Sequence, residues 1–335
     1  MNKLLVLFSA IGVLIFTQCQ STKKAHEETV TEEKQKVEMI SNPFVEGFFA
    51  DPSVVVEDGV FYVYATVDPW GADSLALFTS TDFKNWTESR LNWPTKEQCQ
   101  SPTSNDSRVW APSVIKGLDG KFHMFVSVGS EVYAGISDHP AGPWKNVKED
   151  NSPLIASQKP EGIHTIDAEA FIDDDGQAYL YWGSGWNWEN GHLLVVTMNE
   201  SMTEITSEMQ DITPDNYFEA PYMMKKNGRY FMMYSNGKCI NETYEVRVSE
   251  AETPFGPFTE IATSPVLTTT SDSVTRGPGH HTVMTYGGQD YILYHRINDN
   301  TDGLLRELCI DSLNFDKNGN MRTVITRGGV ADFVK

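Results

Sequence analysis

Residues 50–65 read ADPSVVVEDGVFYVYA: an apolar run, an acidic turn ending in Gly59, and a second run rich in aromatics. Short β-rich runs about a DG or NG turn are hairpin signals. The pattern returns as APSVIKGLDGKFHMFVS at 111–127, DAEAFIDDDGQAYLYWG at 167–183, EAPYMMKKNGRYFMMYS at 219–235 and GHHTVMTYGGQDYILYH at 279–295. The turn glycines Gly59, Gly120, Gly176, Gly228 and Gly288 lie 61, 56, 52 and 60 residues apart. Nothing of comparable length has the period of an amphipathic helix. Pro- and Gly-bearing segments follow most hairpins, STDFKNWT at 80–87, SDHPAGPWK at 137–145 and SEAETPFGPFTE at 249–260, and read as the outer edges of the units. Each repeat has room for four strands. The expectation is an all-β fold, a five-bladed β-propeller in which each blade is a four-stranded antiparallel sheet.

In such a ring the first strand of every blade lines the axis, so the residues that head those strands meet. They are Asp51, Ala111, Asp167, Glu219 and the Gly279–His280 pair. Clustered acids repel one another, most strongly in a partly dry pocket, and hairpin building does not require them. Two carboxylates flanking a bond are the working parts of glycoside hydrolysis. Glu219, the longest of the three, has the reach to protonate a glycosidic oxygen. Asp51 reads as the base, and Asp167 as a neighbour whose charge keeps the acid protonated. Asp173, Asp174 and Asp175 read as turn residues.

Acidic residues number 46 against 26 basic ones, a net charge of −20. That balance argues against nucleic-acid binding, which needs clustered Lys and Arg. Residues 1–18 combine Lys3, an apolar run from Leu4 to Phe16 and then Cys19; the run is short for a membrane span and suits an export signal. A cysteine at its end resembles a lipoprotein signal, with Cys19 the lipid-bearing residue and an ordinary signal peptide as the alternative. Residues 19–41 read as a flexible tether and 42–335 as the catalytic propeller, a monomer in the cell envelope touching membrane only through its lipid. Cys99, Cys239 and Cys309 have neither the spacing of a zinc site nor that of a disulfide framework.

Together ADPSVVVEDGVFYVYAT, WAPSVI, TIDAEAFIDDDGQAYLYWG, YFEAPYMMKKNGRYFMMYS and GPGHHTVM resemble glycoside hydrolase family 43, over residues 42–325. The resemblance implies an inverting five-bladed propeller that cleaves arabinose- and xylose-containing polysaccharides. It implies Asp51 as general base, Glu219 as general acid and Asp167 as the residue that tunes and orients Glu219. The chain departs from the family pattern at Ala168, where proline is usual. No cofactor is required. A structural calcium in the central channel, reached by His280 through water, is open. His280 is also expected to face the sugar, and His281 to pack between blades. Arg306, in LLRELCIDSLNFDKNG, is the arginine expected to reach substrate, with Arg296 in YHR as its rival. Trp110 is a candidate sugar platform, ahead of Trp70, Trp186 and Trp188. The leading activity is exo α-L-arabinofuranosidase or β-xylosidase, and the lack of an added C-terminal sandwich domain favours the former. Alternatives are a β-galactosidase or endo-arabinanase of the same fold, and a non-catalytic glycan-binding propeller.

Overall fold

A computed structural model describes residues 37–101, 103, 107–298 and 305–334. The chain opens with β1 (Val37–Ser41). Blade one is β2 (Phe49–Glu57), β3 (Val60–Val67), β4 (Ser74–Ser80) and β5 (Thr87–Thr95). Blade two is β6 (Val109–Lys116), β7 (Phe122–Val128), β8 (Val132–Ser137) and β9 (Lys145–Asn146). Blade three follows with β10 (Glu169–Ile172), β11 (Ala178–Trp182), β12 (Leu194–Met198) and β13 (Gln210–Asp211). Blade four holds β14 (Glu219–Lys226), β15 (Arg229–Asn236), β16 (Glu245–Ala251) and β17 (Thr259–Glu260). Blade five has β18 (Gly279–Tyr286), β19 (Gln289–Ile297) and β20 (Arg306–Leu313), and the last strand is β21 (Val330–Val334). All pairings within the blades are antiparallel.

The five repeats are the inner hairpins of the five blades, as their spacing predicts. Blade five differs in having a three-stranded sheet among the described residues. The chain following β1 runs beside β20 instead: Phe44 N–H donates to Leu308 O at 3.1 Å, and the Asn42 side chain bonds both Ile310 O and Ile310 N–H. β1 itself pairs with β21, Val37 opposite Val334 through Ser41 opposite Val330. The tether expected to end at 41 therefore ends sooner, since 37–41 is already strand. Its exposed residues Val37, Met39 and Ser41 alternate with half-buried Glu38 and buried Ile40, a strand pattern too short to stand out from the Lys/Glu-rich segment before it. The rest of the tether, the signal segment and Cys19 lie outside the described residues.

Five apolar clusters fill the gaps between neighbouring blades, for example Phe61, Phe83, Tyr291 and Phe333 between blades five and one and Tyr181, Tyr217, Met232 and Tyr234 between three and four. Each fully buried large side chain stabilises by about 1.5–3 kcal/mol, so the ring is held by inter-blade packing. The inner strands enclose an axial channel of about 350 Å³ with wall residues from β2, β6, β10, β14 and β18. Among the described residues Cys99, Cys239 and Cys309 form no disulfide.

Candidate active site

The residues that head the inner strands share a backbone device. Asp51, Ala111, Asp167, Ala220 and His280 have φ of 52°, 45°, 59°, 54° and 41°, in the left-handed region that non-glycine residues rarely adopt. In blades one, two, four and five the pairing register slips there, between Ala50 and Ser53, Trp110 and Pro112, Glu219 and Tyr222, and Gly279 and Thr282. These are β-bulges, which re-aim side chains beside active sites. The freed amide is satisfied from the preceding blade. Ala111 N–H donates to Thr66 Oγ1 at 2.8 Å, Asp167 N–H to Ser127 Oγ at 2.9 Å and His280 N–H to Ser235 Oγ at 2.9 Å. Asp51 N–H donates to His295 Nδ1 at 3.3 Å. Thr66, Ser127, Ser235 and His295 all stand on second strands.

This sets the register of the acids. Asp51 and Asp167 are structural equivalents, but the equivalent in blade four is Ala220, and Glu219 precedes it. Turn length hides the difference: Asp51 lies eight residues before its turn glycine, whereas Ala111, Asp167 and Glu219 all lie nine before theirs.

The three acids nonetheless reach one pocket of about 230 Å³, with His280 and Arg306 beside them. Asp51 and Asp167 are each 6% exposed. Arg306 Nη1 lies 3.1 Å from Asp51 Oδ1, His295 Nδ1 at 3.1 Å and His280 Nδ1 at 3.3 Å. Burial alone raises a carboxyl, but the Arg306 charge, followed by His280 and His295, holds Asp51 well below its usual range. His280 Nδ1 also approaches Asp167 Oδ2 at 3.7 Å. Glu219 accepts from Tyr244 Oη at 2.8 Å and from Ser184 Oγ at 3.2 Å. Burial pushes Glu219 up to about 7; the Tyr244 bond opposes this and the Asp51 charge adds to it. Asp167 is pushed well above its usual range by burial, then by the charges of Glu219 and Asp51. One carboxylate is thus held ionised, and an adjoining pair retains a proton near neutral pH.

Arg306 is itself clamped. Asp68, from the loop after β3, takes Nε at 2.9 Å, Nη2 at 2.7 Å and the Arg306 backbone N–H at 2.8 Å. A bidentate carboxylate fixes the guanidinium plane. Arg296 is not at the site. On β19 its side chain points opposite to that of His295, and it donates to Gly328 O at 2.7 Å and to Glu307 Oε2 at 3.2 Å. Trp110 lines the pocket, its Nε1 donating to Trp70 O at 2.8 Å. Trp70, Trp186 and Trp188, ranked behind it on sequence, line the pocket too, and Trp186 stacks on His164 with centroids 4.1 Å apart.

His281 is buried against Tyr222, as its place in the strand predicts. Asp173 is a turn residue bound to Lys225 and Tyr230. The two carboxylates nearest His280 Nδ1 are Asp51, at 3.3 Å and engaged by Arg306, and Asp167, at 3.7 Å. Among the described residues no group of three or more His, Cys, Asp or Glu side chains is arranged to hold a metal ion. Sequence reading missed Asp68, His295 and Tyr244. A second Asp-Pro pair at Asp68–Pro69, echoing Asp51–Pro52, was the one available sign of Asp68.

The family model for glycosyl hydrolases family 43 matches residues 40–321. A β-D-galactofuranosidase of Aspergillus niger is 33% identical over 308 residues, covering 86% of each chain. A xylosidase/arabinosidase of Bacteroides ovatus is 24% identical, covering 83% of this chain and 95% of its own. The crystal structure of a thermostable family-43 glycoside hydrolase superposes with a TM-score of 0.71 at 26% identity, covering 86% of this chain and 96% of that one. With a family model spanning nearly all of the folded chain and the three acids gathered in one pocket, the protein belongs to glycosyl hydrolase family 43.

Proposed function

We propose that this glycoside hydrolase is an exo-acting furanosidase, removing terminal α-L-arabinofuranosyl units from plant cell-wall glycans with inversion. The observation that carries this reading is the pocket itself. It is smaller than the usual 300–1,000 Å³ of drug-sized sites, has the acids inside and has Trp70, Trp110, Trp186 and Trp188 in its walls. A pocket of that size suits one terminal sugar better than the middle of a chain. In the proposed reaction Asp51, kept ionised by Arg306, removes a proton from water as the water attacks the anomeric carbon. Glu219 gives its proton to the departing glycosidic oxygen. Asp167 and His280 orient the two, and Arg306 also meets the sugar hydroxyls. Single displacement by two carboxylates calls for no cofactor.

A second reading is favoured by the Aspergillus relative. A β-D-galactofuranoside has the ring configuration of an α-L-arabinofuranoside plus one hydroxymethyl group, so one pocket can serve both. We further propose that the enzyme is exported and anchored through a lipid on Cys19, as the apolar run from Leu4 to Phe16 shortly before that residue suggests.

Aryl glycosides of arabinofuranose, galactofuranose and xylopyranose test the substrate, and proton NMR of the first-released sugar tests the stereochemistry. The expected result is turnover of one or both furanosides at least about tenfold faster than the xylopyranoside, with the inverted anomer appearing first. A tenfold difference corresponds to about 1.4 kcal/mol in the transition state. Preference for xylopyranoside overturns the sugar assignment, and a retained anomer overturns the mechanism.

A further inference from the structure

Tyr244 precedes β16 and is fully buried. Its hydroxyl is 2.8 Å from Glu219 Oε1. Its ring lies parallel to that of His295, with centroids 5.6 Å apart and planes 4° apart. His295 is the side chain that meets both the amide and the carboxylate of Asp51. One stacked pair thus spans the pocket from the carboxyl read as acid to the carboxyl read as base, joining blade four to blades five and one.

The sequence of blade five accommodates this pair. Gly279 occupies the position that carries Ala50, Trp110, Ile166 and Glu219 in the other blades. A Cβ at Gly279 would lie 2.1 Å from Tyr244 Cε1 and 2.3 Å from Cδ1, closer than any real carbon contact. The glycine in GPGHH is therefore the space that the tyrosine ring fills.

We propose that Tyr244 is a positioning residue: its hydroxyl fixes Glu219, while its ring, seated over Gly279 and stacked on His295, ties the acid to the group that holds the base. This rests on the reading of Glu219 as catalytic acid. The bond from Tyr244 favours the ionised carboxylate and opposes the effect of burial. The other titratable groups facing Glu219 are Asp51, Asp167, Arg306, Cys239 and Tyr217, and Tyr244→Phe leaves all of them in place.

The test is the pH profile of kcat/KM, whose alkaline limb reports the acid of the free enzyme. Tyr244→Phe should melt within a few degrees of the parent and move that limb to higher pH by about one unit, the effect of losing one bond to a charged group. Gly279→Ala keeps the hydroxyl but displaces the ring, and should move the limb in the same direction. An unmoved or acid-shifted limb in a folded Tyr244→Phe enzyme overturns the proposal. If that variant does not fold, an unmoved limb in Gly279→Ala does so. Glu219→Gln separates the two levels. Retained turnover there refutes the acid assignment, whereas lost turnover with an unmoved Tyr244→Phe limb refutes only the role of Tyr244.

Discussion

At the scale of single residues, the pocket sets like groups apart by their surroundings. Asp51 has a guanidinium and two imidazoles within 3.3 Å, whereas the immediate side-chain donors to Glu219 are two hydroxyls. Opposite protonation of two nearby carboxyls is the condition for a base and an acid to work at one pH. Asp167 adds a like charge, and repulsion between it and Glu219 is mutual. Asp167→Asn removes that repulsion, so Glu219 should ionise at lower pH and the alkaline limb of kcat/KM should move to the acid side, opposite to Tyr244→Phe. A limb that stays in place would show that the two carboxyls do not titrate together. The acids were readable in the sequence because each lies at the head of a repeat, Asp51 and Asp167 at the equivalent place and Glu219 one residue before it. Asp68 and His295 were not, because they reach Arg306 and Asp51 across separations of 238 and 244 residues. No local pattern records such contacts.

At the scale of the strand, one left-handed position repeated in all five blades, with a bulge beside it in four of them, orders the inner-strand residues into two belts. Two residues beyond Asp51, Ala111, Asp167, Ala220 and His280 stand Ser53, Ser113, Glu169, Tyr222 and Thr282, all lining the axial channel. Ser53 Oγ accepts from Val114 N–H at 2.9 Å and Ser113 Oγ from Ala170 N–H at 3.2 Å, so this belt also links blade to blade. The hairpin period made the five blades plain, but not the bulge, because turn lengths differ and a slip of one residue leaves the apolar pattern nearly intact. Glu169 carries the belt's one carboxyl. Burial pushes it up to about 8, with only a bond from Ser113 acting against this. Its folded value therefore exceeds the unfolded value of roughly 4.3. The folded state binds the proton more tightly, and stability is lost as pH rises from about 4 through about 8. Glu169→Gln should match the parent in urea midpoint near pH 4 and exceed it at pH 8. Parallel midpoints across that range would mean that Glu169 is solvated in the native state.

At the scale of the whole molecule, the ring has to be closed between blades five and one, where no continuous chain joins them. Closure uses both ends of the folded segment. β1 and β21 pair over five residues, Asn42 inserts its amide into β20, and Arg296 bonds Gly328 O at 2.7 Å and reaches Asn42 O at 3.5 Å. This explains why an arginine that looked like a substrate ligand is buried on the far face of its strand: its charge faces Glu307 and carbonyls of the closing segments. Asn42 is 4% exposed and satisfies both backbone groups of Ile310, at 2.7 and 2.9 Å. Asn42→Ala orphans a donor and an acceptor in a dry interface, at about 1–3 kcal/mol each. For a chain of this size each kcal/mol is worth roughly 2 °C or somewhat more in Tm, so melting should fall by about 4–12 °C. None of the groups that touch the acids is altered, so kcat/KM at 25 °C should stay within about twofold. Calorimetry beside a rate measurement decides it. An unchanged Tm would mean that the β1–β21 pairing closes the ring unaided, and a large loss of activity at unchanged Tm would mean that the closure also positions Arg306 and Asp51 on the strands it joins.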